Sequence, residues 1–330
     1  MPASTAHAAQ LCLDALSTAD PSCHSPLYTV MTMANTLELS RQAWVIRGQT
    51  RSRRPGSWPT WFARNTSEKP MLYLHSAASS AQLCALSEAT AQRGILCNDI
   101  ENHPSPWPKG TQPSLPLWLT THPRCTQYDP SCGEEARAIV LGGLRNLYVE
   151  GQPGFYYLAL HDHERAMPLD ERDREAALQG MYPIQRRPIA DVRLLGAGQA
   201  LEEVIQAAQL LEQDWGVTSQ VWSCPSYTRL AREAAVAERW NRLHPTATKR
   251  SCHLRECLEG SEAPVIAVTG YPQPIVDQLA GYVDARFVAL GAAPSRYWVV
   301  VSALRALVEE ARLDWRQVEI AMNRYALECD

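Results

Sequence analysis

From residue 191 to residue 327, short apolar runs alternate with longer amphipathic ones, and this constrains the fold more than any other feature of the chain. DVRLLGAG (191–198) reads as a strand ending in glycine before a helix. Residues 199–213 then place Leu201, Val204, Ile205, Ala208 and Leu211 on one helical face. Residues 220–224 read as the next strand and 226–240 as the next helix. PVIAVT (264–269) makes a third strand, PIVDQLAGY (274–282) a helix, and residues 286–290 a fourth strand. The stretch 297–312 begins extended or helical, with YWVVV, and ends as a clear helix. Asp314 is a good N-cap for a final helix through Leu327, because its carboxylate can accept from the free N–H groups of the first turn. Strands alternating with helices predict an α/β fold: a mostly parallel sheet with helices on both faces.

Upstream the signal thins. Ala136, Ile139, Val140, Gly143 and Leu147 recur at helical spacing in residues 134–147, and FYYLALH (155–161) reads as a strand. Residues 162–175 read as a charged connection. The first 115 residues are punctuated by SRRPGSWPTW and ENHPSPWPKGTQPSLP, where Pro, Ser, Trp and Gly interrupt both helix and strand. Only residues 80–93 there have a helical rhythm.

With 330 residues the chain is long enough for two α/β domains. Its net charge of −4 gives no global electrostatic case for nucleic acid. RGQTRSRRPGSWPTWFAR (47–64) mixes arginine with tryptophan, but on an acidic protein it reads as a solvated loop with half-buried indoles. No apolar run approaches the roughly 20 residues that cross a bilayer. The N-terminal residues lack a basic region, and Asp14 and Asp20 interrupt the apolar part, so a cytoplasmic location and no membrane partner are expected.

Ten cysteines at irregular spacing contain no CxxC pair. Cys252, His253 and Cys257 have no second half to complete a zinc site, so reduced thiols and no metal are expected. Gly196 and Gly198 lack the third glycine of a dinucleotide turn, where Leu201 stands, and read as a tight strand-to-helix connection. His161 and His163 follow a strand, where α/β proteins place their chemistry, with Asp162 and Glu164 beside them. They are the only candidates for acid–base work, against the alternative of a mixed-charge surface loop. His244-Pro245 reads as a helix end. No GxSxG, HExxH or GxxxxGKS motif occurs.

Several segments in order resemble one family. RCTQYDPSCGEEARAIVLGGLRNLY (124–148), FYYL, Ala166-Met167-Pro168 and GMY (180–182) are followed by WGVTSQVWSCPSYTRLARE, ERWNRLHP and YWVVVSALRALVEEARLDWRQVEIAMNRY. Over residues 115–325 they are similar to the homodimeric, thiamine-diphosphate-dependent pyruvate dehydrogenase E1 component, in its C-terminal portion. The resemblance implies a transketolase C-terminal-like domain over 189–330. It further implies the late part of a pyrimidine-binding-type domain over 115–188, and over 1–114 a degenerate or poorly folded remnant of that domain. It also implies thiamine diphosphate with Mg2+ and decarboxylation of a 2-oxoacid, with the acyl group passed to a lipoyl domain. The chain departs from the pattern: no Gly-Asp-Gly with a downstream Asn occurs, Ala166 stands where the family has its histidine before Met-Pro, and the glycine-rich loop is reduced to GAAPSR (291–296). An alanine neither donates nor accepts a proton. The expectation is a non-catalytic paralogue with no catalytic, cofactor or metal residues of its own, associating as a homodimer or with a full-length E1-type chain. The alternatives are a split subunit, completed by a chain that carries the diphosphate-binding domain and using His161 or His163 as base, and a decaying gene product.

Overall fold

A computed structural model describes residues 3–18, 24–48, 69–89, 93–187 and 189–327. Residues 49–64 of the arginine–tryptophan segment, Cys23 and Cys329 lie outside the described residues. The chain divides into two compact units, Met1–Leu178 and Gln179–Asp330.

In the first unit, α1 (Ala3–Ser17) and α2 (Pro26–Ser40) precede β1 (Trp44–Arg47) and β2 (Met71–His75). Then come α3 (Ser80–Ala89), β3 (Arg93–Asn98), α4 (Ser114–Thr121), β4 (Cys125–Tyr128), α5 (Gly133–Leu144), β5 (Gly154–Ala159) and α6 (Glu171–Gln179). The strands form one five-stranded sheet in the order β1-β2-β3-β5-β4, and every pair is parallel. Val30, Met33, Ala34 and Leu37 of α2 pack with Ala136, Ile139 and Val140 of α5 and with Leu72, Ile95 and Leu158 of the strands.

The expectation for residues 1–114 is a degenerate or poorly folded remnant, and their described part contributes β1, β2 and β3 to this sheet. β3 is locked to β5 from Arg93↔Gly154 to Asn98↔Ala159, so residues on both sides of the expected boundary share one ladder. The periodicity argument missed β2 and β3 because they are buried almost throughout, and a strand covered on both faces shows no alternation. The charged connection at 162–175 is corrected in part, since α6 begins at Glu171. That helix buries little besides Ala177, which leaves almost no apolar stripe to read.

The second unit contains β6 (Tyr182–Pro183), β7 (Val192–Gly196), α7 (Ala200–Trp215), β8 (Ser219–Ser223), α8 (Tyr227–Leu243) and α9 (His253–Leu258). These are followed by β9 (Val265–Val268), α10 (Pro274–Asp277), β10 (Phe287–Leu290), α11 (Arg296–Glu309) and α12 (Trp315–Arg324). The sheet order is β10-β9-β7-β8-β6; only the short β6 runs antiparallel, against β8. Leu195, Trp222, Val265 and Ala267 form a core with Leu230 and Ala234 of α8 and Leu254 of α9. YWVVV is helical from its first residue, because Val299, Val300 and Val301 are all buried in α11. The last helix carries a full capping box: Asp314 accepts from Arg316 N at 2.8 Å, and Gln317 Oε1 accepts from Asp314 N at 3.3 Å.

The turn after β7 needs its first glycine for packing, because a Cβ at Gly196 would sit 2.9 Å from Leu201 Cα. Gly198 lies in the left-handed region at φ 54°. None of the described cysteines is in a disulfide. Burial raises the Cys12 thiol to about 11 and pushes Cys97 and Cys132 higher still, so these are packing residues. No described helix is long and apolar enough to cross a membrane.

Candidate functional site

The carboxyl ends of parallel strands point their loops in one direction, and in the first unit those loops gather most of its buried polar groups. β2 ends in His75, whose imidazole is buried with neither nitrogen paired. Burial lowers its pKa to about 3. β3 ends in Asn98, which braces the neighbouring loops. Its Oδ1 accepts from Ala77 N at 2.9 Å, and its Nδ2 donates to Ala77 O and Tyr157 Oη, both at 2.8 Å. Asn102 donates to Leu160 O at 3.0 Å and accepts from Asp162 N at 2.9 Å, which ties the segment after β5 to the segment after β3.

Ser76, Asp99 and His103 meet here with the composition of a hydrolytic triad but not its wiring. Ser76 Oγ donates to Asp99, and one nitrogen, His103 Nε2, faces both the hydroxyl at 3.4 Å and the Asp99 carboxylate at 3.7 Å. A triad needs the two imidazole nitrogens to face opposite partners. This arrangement holds the serine proton on the carboxylate side.

A further group is ionic. Lys109 Nζ lies 2.6 Å from Glu101 Oε2 and 3.0 Å from Asp129 Oδ1, with all three side chains largely buried. Burial pulls the lysine's pKa down, but Asp129 and Glu101 more than offset this and hold it above its ordinary value. Asp129 is raised to about 6 by burial against the pull of Lys109, with Glu101 and Glu135 adding repulsion. The two shifts agree physically, since one ammonium cannot neutralise several carboxylates. The Asp129 contact is close but poorly directed, and neither of its oxygens receives a good hydrogen bond. Lys109 adopts a left-handed backbone, φ 53°, which a non-glycine residue holds only when its surroundings impose it. Glu135, in the first turn of α5, accepts from Ser131 N at 2.6 Å, where a carboxylate also suits the helix dipole.

His161 is fully buried beside this group. Its Nε2 is 3.1 Å from Pro130 O, and its Nδ1 has no partner. Burial first, and then the Lys109 charge, lower its pKa to about 3. The ring is therefore neutral at physiological pH and sealed from solvent, which does not suit a general base. His163 is exposed, its ring centroid 6.4 Å from that of His161. Ala166 is exposed as well. The imidazole signals of His161 are expected not to titrate between pH 5 and 8 in an NMR pH series; a midpoint near 6.5 would contradict the burial argument.

Sequence reading found His161 but missed Lys109, Glu101, Asp129 and His75. Asp129 stands in the quoted Tyr-Asp-Pro turn, yet nothing in the sequence indicates that Lys109 folds back onto it.

Residues of the second unit that suggested a metal are otherwise engaged: His253 Nε2 lies 2.8 Å from Met181 O and 3.5 Å from Cys257 Sγ. Among the described residues no group of three or more His, Cys, Asp or Glu side chains could hold a metal ion. The carboxylates that do converge already surround Lys109. Among the described residues, this carboxylate set, already paired with a lysine, does not fit a metal-bound diphosphate.

The family described as "Transketolase-like TK C-terminal domain" matches residues 180–292, a range that contains every strand of the second unit's sheet. The chain carries a transketolase-like C-terminal domain. It is also similar to pyruvate dehydrogenase E1 components. That of Cupriavidus necator is 35% identical over 227 residues, covering 62% of this chain and 25% of the relative. That of Escherichia coli K12 is 33% identical over 233 residues, covering 64% and 26%. The chain thus spans about a quarter of the length of the curated relatives it matches. Among solved structures, the transketolase of Leishmania mexicana has a TM-score of 0.60 at 14% identity, over 92% of this chain and 49% of that one. A chain described as "Split gene transketolase, inactive beta4 tetramer" has a TM-score of 0.57 at 13% identity, over 87% of this chain and 99% of that one. The transketolase-like domain and the kinship with pyruvate dehydrogenase E1 agree with the sequence resemblance, and the parallel α/β architecture agrees with the expected fold.

Proposed function

We propose that this chain is a non-catalytic relative of the pyruvate dehydrogenase E1 component, acting in the cytoplasm through protein–protein association. One observation carries the reading. At the carboxyl edge of the first sheet, Lys109 is enclosed by Glu101 and Asp129, and His161 is neutral and sealed. With alanine at 166, the position directly before Met-Pro in the loop after β5 carries no histidine. Both units nevertheless have buried hydrophobic cores, which supports retention of the fold for its surfaces. The association expected is with a second copy or with a full-length E1-type chain. Isothermal titration with thiamine diphosphate and Mg2+ tests the first half of the reading: no heat is expected at millimolar ligand, and saturable Mg2+-dependent binding would overturn it. Sedimentation velocity, alone and with an E1-type chain, tests the second; a monomer in both runs would remove the association.

A second reading is favoured by one comparison. The near-complete overlap with the split-gene transketolase chain is what a subunit completed by a separate diphosphate-binding chain would show. Mixing this chain with one that carries Gly-Asp-Gly…Asn separates the readings. Turnover of a 2-oxoacid only in the mixture favours the split subunit, and none favours the non-catalytic relative.

A further inference from the structure

At the opposite, amino end of the second unit's sheet, Arg193 is buried, with only 4% of its surface exposed. A buried guanidinium normally has a carboxylate beside it, because an unpaired buried charge is costly. Arg193 has none among the described residues. Its Nε donates to Gln220 Oε1 at 3.1 Å and its Nη1 to the backbone oxygen of Leu258, both neutral acceptors. Burial lowers its pKa, and the group that opposes this shift is the Cys257 thiol rather than a carboxylate. The fork of a guanidinium presents five N–H donors, so these bonds leave donors over.

Arg193 lines a cavity of about 580 Å3 between α9, the loop leading into β9 and the loop leading into β10. The size falls within the range of small-molecule sites. Its lining is graded. Arg193, Leu254 and Leu258 are buried at its floor, and Glu259, Glu262 and Asp284 are exposed at its mouth. The other cation on the lining, Arg255, is 3.5 Å from Glu238. The polarity therefore runs from a buried cation without a carboxylate partner inside to three acids outside.

That gradient selects among ligands. A simple dianion would meet the acidic mouth, and a simple cation would meet Arg193. A molecule with a carboxylate at one end and an ammonium at the other matches both. We propose that this cavity binds an amino-acid zwitterion, its carboxylate received by Arg193 and its ammonium by the acidic rim. The site lies at the opposite edge of its sheet from the carboxyl-end loops. It needs neither thiamine diphosphate nor a second chain.

The full chain should be screened against the common L-amino acids by ligand-detected NMR, with the strongest binder titrated by calorimetry. At least one amino acid should bind with Kd at or below about 1 mM, and its decarboxylated amine should bind at least ~10-fold more weakly for want of the charge-assisted pair. Arg193→Gln should abolish binding. If that variant fails to fold, the exposed triple variant Glu259→Gln, Glu262→Gln, Asp284→Asn still tests the site, and a loss of ~10-fold is expected. Absence of binding at about 10 mM, equal binding of the decarboxylated amine, or unchanged affinity in either folded variant overturns the proposal.

Discussion

Replacing Lys109 with methionine is expected to destabilise the first unit by about 3–5 kcal/mol, the cost of leaving a buried charge without its partner. Methionine keeps most of the stem volume, so the loss comes from charge rather than from a cavity. Glu101 and Asp129 would face each other with no cation, and Asp129 already lacks a well-directed hydrogen bond. Adding Glu101→Gln and Asp129→Asn to Lys109→Met should restore most of the stability, since neutral groups need no counterion. Unfolding in guanidinium chloride, followed by a probe in the first unit, measures this. An unchanged midpoint in the single variant would mean that water reaches the cluster.

The same cluster sets a pH dependence whose sign follows from Asp129. Its folded pKa, about 6, lies above its ordinary value of 3.8. Between these values the folded state holds the proton more tightly than the unfolded state does. The contribution to stability is therefore fully present below the unfolded value and is lost as pH rises through the folded one. The wild-type unit should be more stable at pH 5 than at pH 8 by this contribution. Lys109→Met removes the charge that lowers Asp129's pKa, so in that variant the loss should extend to higher pH. Asp129→Asn should abolish this contribution.

Gly291→Ala is expected to cost the second unit about 3 kcal/mol through overpacking against main chain, roughly a 10 °C fall in Tm. A Cβ there would lie 2.2 Å from Gln273 N and 2.5 Å from Gln273 Cα. Neither atom can move without displacing the turn that precedes α10. The next residues reverse the sign. Ala292 and Ala293 sit in the left-handed region at φ 62° and 54°, held by bonds from their N–H groups to Tyr271 O and Thr269 O. Changing both to glycine relieves backbone strain but frees the unfolded chain, for a net gain of about 1 kcal/mol. Thermal melts of the two variants should therefore move in opposite directions. A Gly291→Ala melt equal to wild type would show that the 272–273 turn can shift.

Local pattern alone specified much of the second unit. The stripe of Leu201, Val204, Ala208 and Leu211, the apolar runs at β7 and β9, and the cap at Asp314 each act within one or two turns of chain, so they are legible in sequence. The ordered motifs over residues 115–325 also sufficed to place the kinship. In the first unit α2 went unread, although Val30, Met33, Ala34 and Leu37 stand at helical spacing in it. β2 and β3 were not legible, because strands of 5 and 6 residues buried on nearly every side carry no period. Tertiary structure alone decided the sites. Asp129 lies 20 positions from Lys109 and meets it only because the loop before α4 folds back under the end of β4. Arg193 reads in sequence as one polar residue in a strand; only the fold buries it without a carboxylate and sets it in the wall of a cavity. Secondary structure follows from interactions between near neighbours, whereas burial and charge pairing depend on which distant segments the chain brings together.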